Sequence, residues 1–298
     1  QSLVLDEFDK SLEIGFEGEM RDILHALPDV GRKILTSATQ GVEIPRFVGL
    51  KSPQVLDFLE DKISQLQVKK VLSPTKDKLE TLGQLLGQLG SKNGIIFCNF
   101  KDSIQRVSDY LSDHDISHGV FSGGMEQIDR ERSLIKFRNG TYPLLLATDL
   151  AARGIDVPEL DFIIHYHLPL RAEEFIHRNG RTARMNSEGT AYILQYEKEP
   201  LPDFVGRPAL EKLRPSTLPA PSAWSTLLIS GGRKDKISKG DIAGFFLKQG
   251  GIQSDALGAI ELKTDCAFVA VKSVVLEQLL SKVNNQKLKE KKVRISLI

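Results

Sequence analysis

The 298 residues contain no Gly-x-x-x-x-Gly-Lys-Ser/Thr pattern. Without that loop nothing in the chain cradles the α- and β-phosphates of a nucleotide. There is no apolar stretch of the ~20 residues that a membrane helix needs, so a helical span is excluded. The start is not a secretory leader, because the apolar run Leu3-Val4-Leu5 is short and acidic residues follow at once. Cysteine is scarce. Cys98 and Cys266 are the only two, far apart and in apolar, strand-like runs. Buried, reduced thiols in a cytoplasmic protein are the expected reading.

What is present is ordinary for a soluble globular protein, with 41% hydrophobic and 27% charged residues. The length allows two domains or more. A net charge of +1 hides an asymmetry: residues 225–298 hold 13 Lys/Arg against 7 Asp/Glu, or +6, which leaves −5 for the rest. A basic module on a mildly acidic body is suited to meeting a polyanion.

Periodicity divides the chain. Block 1–60 carries a strand at Leu3–Asp6, a helix with apolar spacing at Met20, Ile23, Leu24 and Leu27, and a second strand at Lys33–Thr36. Its opening residues read as a strand already under way, which leads us to expect a truncated unit. A polar stretch over 61–77 reads as a linker. Block 78–197 alternates helix-period and strand-period segments, the pattern of a mostly parallel α/β sheet with covered faces. Residues 198–224 hold six of the 13 prolines and read as a semi-extended linker. From 225 a βαββαβ order restarts, a small α+β module.

In parallel sheets chemistry gathers at the C-terminal ends of strands. Asp6-Glu7, Ser37-Ala38-Thr39, Asn99 and Thr148-Asp149 all stand directly after strands. Paired carboxylates there can hold Mg²⁺ and orient a water. Residues 177–184, His-Arg-Asn-Gly-Arg-Thr-Ala-Arg, place Arg181 and Arg184 three apart at what reads as a helix start, where they could clamp a transferring phosphoryl group. Taken singly, each pattern has a bland alternative in strand capping or a solvated helix face. Their co-occurrence in one order is what decides.

In that order the chain resembles the DEAD-box family of ATP-dependent RNA helicases over about 1–197. Asp6-Glu7-Phe8-Asp9 stands where the family has Asp-Glu-Ala-Asp, and Ser37-Ala38-Thr39 matches its Ser-Ala-Thr motif. Residues 95–99, Gln127 to Arg130, 147–156 and 177–184 match four later motifs. The resemblance implies a remnant of a first RecA-like domain (1–60), a linker (61–77) and a second RecA-like domain (78–197). ATP and Mg²⁺ are the implied cofactors. Asp6 would hold Mg²⁺ through water, Glu7 would orient the attacking water, and Arg181 and Arg184 would act as arginine fingers. Asp156 would contact the ribose. Asp9, Ser37, Thr39 and His177 would couple the two domains, with His177 also beside the nucleotide. Gly123, Arg130 and Thr148 would hold RNA phosphates, contacts that carry no sequence information. Two departures stand out: Phe8 replaces a small residue and must find space beside the cleft, and Ala183 replaces a usual Gly.

Residues 225–298 resemble an RNA-recognition motif, more narrowly the RNA-binding domain of the DbpA group of bacterial DEAD-box proteins. The resemblance is carried by residues 229–237, Gly240-Asp241-Ile242 and Phe268-Val269-Ala270-Val271. Leu227 and Cys266 occupy positions where stacking rings are expected, leaving Phe268. Recognition would then lean on Arg233, Lys234, Lys236 and Lys239. The implied activity is local unwinding of structured, ribosomal RNA during ribosome assembly, by a cytoplasmic monomer with no membrane partner. Lacking the phosphate loop, the 298 residues alone are expected not to hydrolyse ATP. A non-catalytic RNA-binding protein derived from a helicase is the rival reading. A DNA-directed translocase is disfavoured by the His-Arg opening of 177–184.

Overall fold

The β-branched and leucine-rich runs of the sequence become short parallel strands. The computed structural model describes residues 1–8, 16–28, 30–37, 44–50, 52–57, 66–149, 157, 160–182 and 189–298. The chain divides into two units, 1–63 and 64–298.

In the first unit, strand β1 (Ser2–Leu5) pairs in parallel with β2 (Arg32–Leu35), Ser2 opposite Arg32. Helix α1 (Glu17–Ala26) lies between them in sequence, with Glu17 and Glu19 in its first turn and His25 in its last, the charge order that suits the helix dipole. Val4, Phe16, Ile23, Ile34 and Val55 remain exposed. Phe8, by contrast, is buried to 2% exposure. Its amide donates to the Thr36 carbonyl at 2.9 Å, and the bulky ring does find a buried place.

The second unit is built on a seven-stranded parallel sheet. Its strands are β3 (Leu66–Ser73), β4 (Gly94–Phe97), β5 (His118–Phe121), β6 (Leu144–Ala147), β7 (Phe162–His165), β8 (Gly189–Tyr196) and β9 (Ala209–Leu210), in the order β5-β6-β4-β7-β8-β3-β9. Strands β4, β6 and β7 are buried along their whole length, as the covered faces of a parallel sheet require. Helices α2 (Leu79–Leu89), α3 (Lys101–Asp113), α4 (Gln127–Arg138) and α5 (Ala172–Asn179) accompany it. One apolar cluster joins Leu82, Leu85, Leu86, Val107 and Leu111 to Ile96, Leu146 and Ile164. A second joins Ile95, Phe97, Leu145 and Ile163 to Phe121 and Phe137.

Two stretches that read as linkers belong to this sheet. Residues 66–73 form β3, between β8 and β9. The adjacent Lys69-Lys70 pair breaks the apolar alternation, and Lys69 is accommodated by an ion pair with Glu211 at 2.8 Å. The proline-rich segment is extended, as its composition suggests, but it is pinned to the body. β9 adds to the edge of the sheet, Leu213 joins the core, and the Arg214 amide donates to Gln88 Oε1 at 3.0 Å. Further along, Ser222 Oγ donates to the Gly140 carbonyl at 2.6 Å.

The C-terminal module has an antiparallel sheet ordered β11-β12-β10-β15: β10 (Trp224–Ile229), β11 (Leu257–Leu262), β12 (Ala267–Lys272) and β15 (Ile295–Leu297). A small hairpin, β13 (Lys287–Leu288) and β14 (Lys291–Lys292), precedes β15. Helices α6 (Lys239–Gly244) and α7 (Leu276–Val283) cover one face. There Leu227, Ile229, Ala267, Val269 and Val271 pack on Ile242, Phe246, Leu279 and Val283. Leu227 is therefore a core residue and not a position on the open face. Of the two free thiols, Cys98 is buried, whereas Cys266 is half-buried.

Candidate functional site

The ends of β4, β6 and β7 and the last turn of α5 converge on one buried guanidinium, Arg178. Its side chain is 1% exposed and forms a two-point pair with Asp149, Nε to Oδ1 and Nη2 to Oδ2, both 2.5 Å. Nη2 also donates to Asn99 Oδ1 at 2.8 Å and Nη1 to the His167 carbonyl at 2.6 Å. The guanidinium lies 5.0 Å from the centre of the Phe97 ring. Asn99 completes the circuit by donating to the Leu168 carbonyl at 2.8 Å. One planar cation thus fixes the loops after three strands, the geometry in which an arginine fork outperforms a lysine. Sequence reasoning passed over Arg178 in favour of its neighbours Arg181 and Arg184. The available signal was the acid Asp149 directly after a fully apolar strand.

Two imidazoles adjoin this hub. His165 is buried, and its Nε2 is 2.9 Å from Asn179 Oδ1. Burial pushes it down to about 3, against the opposing effect of that bond. His167 is held down to about 4 by burial and by the nearby Lys78 and Arg178 cations. Both rings are neutral at physiological pH.

Arg181 follows the helix instead of starting it: α5 ends at Asn179, Gly180 closes it, and the Arg181 amide donates to the Arg178 carbonyl at 3.1 Å. His177 sits in the last turn of α5. Thr148 is half-buried after β6, and Gly123 is exposed in the turn after β5. Arg130, in the first turns of α4, donates to Gln127 and stands 6.0 Å from the Phe121 ring. Its Nε is buried without a hydrogen-bond partner among the described residues.

In the first unit, Asp6 and Glu7 stand just after β1. Asp6 Oδ1 accepts from the Glu7 amide at 3.1 Å and from the Thr36 hydroxyl. Glu7 adopts φ +48, a left-handed conformation uncommon for a non-glycine residue. Ser37 follows β2 closely. Asp9, Thr39, Asp156 and Arg184 lie outside the described residues.

On the C-terminal module the loop before α6 is locked by acids. Asp235 accepts from the Gly232 amide at 3.0 Å and pairs with Lys291 at 2.7 Å. Asp241 caps α6 through Ser238 and pairs with Lys289 at 2.7 Å. Lys234 is taken by Asp265. The hydrogen bond from Lys289, then those from Ser238, hold the Asp241 carboxyl at about 2. Gly232 is forced by crowding, because a Cβ there would come 2.4 Å from the Thr264 carbonyl oxygen. Among the described residues Arg233, Lys236 and Lys239 make no ion pair. Phe268 is 6% exposed, so in this packing its ring is not open to a base.

Comparison with known proteins agrees with this geometry. Residues 77–186 match the helicase conserved C-terminal domain, and residues 226–297 match the DbpA RNA binding domain. The chain is 30% identical to the ATP-dependent RNA helicase DbpA of Escherichia coli (strain K12), over 100% of this chain and 67% of that protein. It is 27% identical to DbpA of Bacillus subtilis (strain 168), over 99% of this chain and 68% of that one. Among solved structures, S. cerevisiae Dbp5 bound to RNA and ADP BeF3 superposes with a TM-score of 0.57 at 22% identity, over 66% of this chain and 54% of the other. That likeness concerns the fold.

Proposed function

Because the chain belongs to the DEAD-box ATP-dependent RNA helicases of the DbpA type, we propose that it is the RNA-gripping part of a machine that opens short duplexes in structured, ribosomal RNA. The C-terminal module anchors the RNA, and the second RecA-like module (78–197) holds the phosphates of the strand being separated. The observation that carries this reading is the locked loop in which three acids are satisfied by Lys234, Lys289 and Lys291, while among the described residues Arg233, Lys236 and Lys239 make no ion pair. A pre-organised cationic loop of that kind suits a phosphate backbone. Arg130, with a buried donor still available, together with Gly123 and Thr148 would take further phosphates.

The nucleotide chemistry follows the same division. Asp6 would hold Mg²⁺ through water, and Glu7 would orient the attacking water. Among the described residues no three ligating side chains cluster. One open carboxylate after a strand fits an ion that keeps its waters and takes its remaining oxygens from phosphates. Bound there, Mg²⁺ supplies neutralisation of phosphate charge. Arg181 and Arg184 would stabilise the transferring phosphoryl group, Asp156 and His177 would contact the nucleotide, and Asp9, Ser37 and Thr39 would carry the coupling between domains. Since no phosphate loop occurs in the 298 residues, these groups have no positioned ATP to act on, and the chain alone is inactive as an ATPase. The cytoplasm is the proposed compartment and a monomer the proposed state.

The test is a comparison of structured RNA with DNA of the same sequence. The chain should bind the RNA roughly tenfold or more tightly, through contacts to 2′-hydroxyls and unstacked bases. Equal affinity would point to a generic polyanion surface and against the RNA reading.

A further inference from the structure

Phe100 stands between β4 and α3 and is 67% exposed. It takes the position that starts the helix, with φ −128 and ψ 149, and its side chain gives α3 no cap. A Ser, Thr, Asp or Asn there would satisfy one of the helix's open amides, whereas an exposed ring adds little burial. Local stability gives no reason for a phenylalanine. The ring is nonetheless set on a fixed base. Its own carbonyl accepts from the Ile104 amide at 3.1 Å. Its neighbour Asn99 joins the Arg178 fork to the Leu168 carbonyl. The His167 ring meets Phe100 edge to face, with centres 6.3 Å apart, and the His167 amide donates to the Phe97 carbonyl at 3.2 Å. Three successive carbonyls after β7, those of Tyr166, His167 and Leu168, accept from Lys78, Arg178 and Asn99. On its other side, Lys101 reaches the glycine turn after β5, where a Cβ at Gly124 would lie 2.8 Å from its Nζ. That turn holds Gly123 and leads into α4, which carries Arg130.

We propose that Phe100 is a stacking ring for one unpaired RNA base, set beside the cations and the glycine turn that take the phosphates of the same strand. This rests on the reading that Gly123, Arg130 and Thr148 hold RNA phosphates. It adds that the helicase module also grips a base. Every base has a π-face, so the contact is sequence-tolerant. It costs little ordering, because the ring has two rotatable bonds and its surroundings are fixed before RNA arrives. A base laid on Phe100 is out of reach of its pairing partner, so the contact keeps a separated strand open.

The test uses the whole 298-residue chain and a stem-loop RNA with a single-stranded tail. The tail is either intact or stripped of its bases with the sugar-phosphate backbone kept. The wild type should bind the intact tail roughly tenfold more tightly than the abasic one. Phe100→Ser and Phe100→Leu should bind both at the abasic level, and Phe100→Tyr should keep the difference. The urea midpoint of Phe100→Ser should be unchanged or higher, since serine can cap α3. No difference between the tails in the wild type, a difference that survives both Phe100→Ser and Phe100→Leu, or an equal loss on both tails would overturn the proposal while leaving the RNA reading intact. Failure of the wild type to bind either RNA would bring down the RNA reading, and the proposal with it.

Discussion

Arg178 and Asp149, 29 residues apart in sequence, are locked by two bonds of 2.5 Å each. Through this pair the last turn of α5 is fastened to the end of β6, with Asn99 and the His167 carbonyl drawn in. Removing one partner of a buried pair leaves a charge uncompensated. Arg178→Met, which strands the partly exposed Asp149, should lower stability by ~3 kcal/mol, read from urea unfolding. A loss below ~1 kcal/mol would mean that the pair only breaks even against its desolvation.

The two neutral histidines give the helicase module a pH limit. Their folded values, about 3 for His165 and about 4 for His167, lie below the ordinary 6.5. The unfolded chain therefore takes up protons that the folded one refuses. Stability is fully present above pH 6.5 and is lost as pH falls toward 4. At pH 5 the loss should be on the order of 2 kcal/mol from His165, and less from His167, where solvent screens part of the effect. Unfolding midpoints at pH 7.5 and pH 5, in the wild type and in His165→Asn, check this. Equal pH sensitivity in the two proteins would assign the effect elsewhere.

Amide exchange should separate the two units. A pair of four-residue strands with Val4, Ile23 and Ile34 exposed is marginal by itself. Residues Ser2–Leu5 and Arg32–Leu35 should exchange far faster than β4, β6 and β7. Comparable protection would show that the first unit has stability that its own packing does not explain.

Much of this was legible in the sequence, because apolar runs in the helicase module and the βαββαβ order of the C-terminal module are local signals. What was hidden depended on partners distant in sequence. β3 was obscured by Lys69-Lys70, and Lys69 is met by Glu211, 142 residues away. Arg178 looked like one arginine among several until Asp149, Asn99 and Phe97 surrounded it. Phe268 reads as an RNA platform from its strand position. It is nevertheless buried, at 6% exposure, which no periodicity reports. The ion pairs of Lys234, Lys289 and Lys291 likewise become visible only once Asp265, Asp241 and Asp235 are in place.

For the nucleotide chemistry, RNA-stimulated phosphate release from the purified chain should not exceed that of an Arg181→Ala control, since nothing in the 298 residues positions ATP. In a longer chain that carries a phosphate loop, Arg181→Ala should lower turnover by ~10³-fold or more with RNA affinity nearly intact. A variant that chiefly weakened RNA binding would move Arg181 from the nucleotide to the RNA.

The most direct test of the account is an anisotropy titration of a structured RNA across a salt series. With Arg233 and Lys236 both changed to Ala, binding should weaken, and the salt slope should fall by roughly one for each cation removed. Phe268→Leu, which keeps the buried volume filled, should leave affinity and slope unchanged. Abolished binding in Phe268→Leu, with no effect of the two basic substitutions, would contradict the account and show that the sheet face, not the cationic loop, receives the RNA.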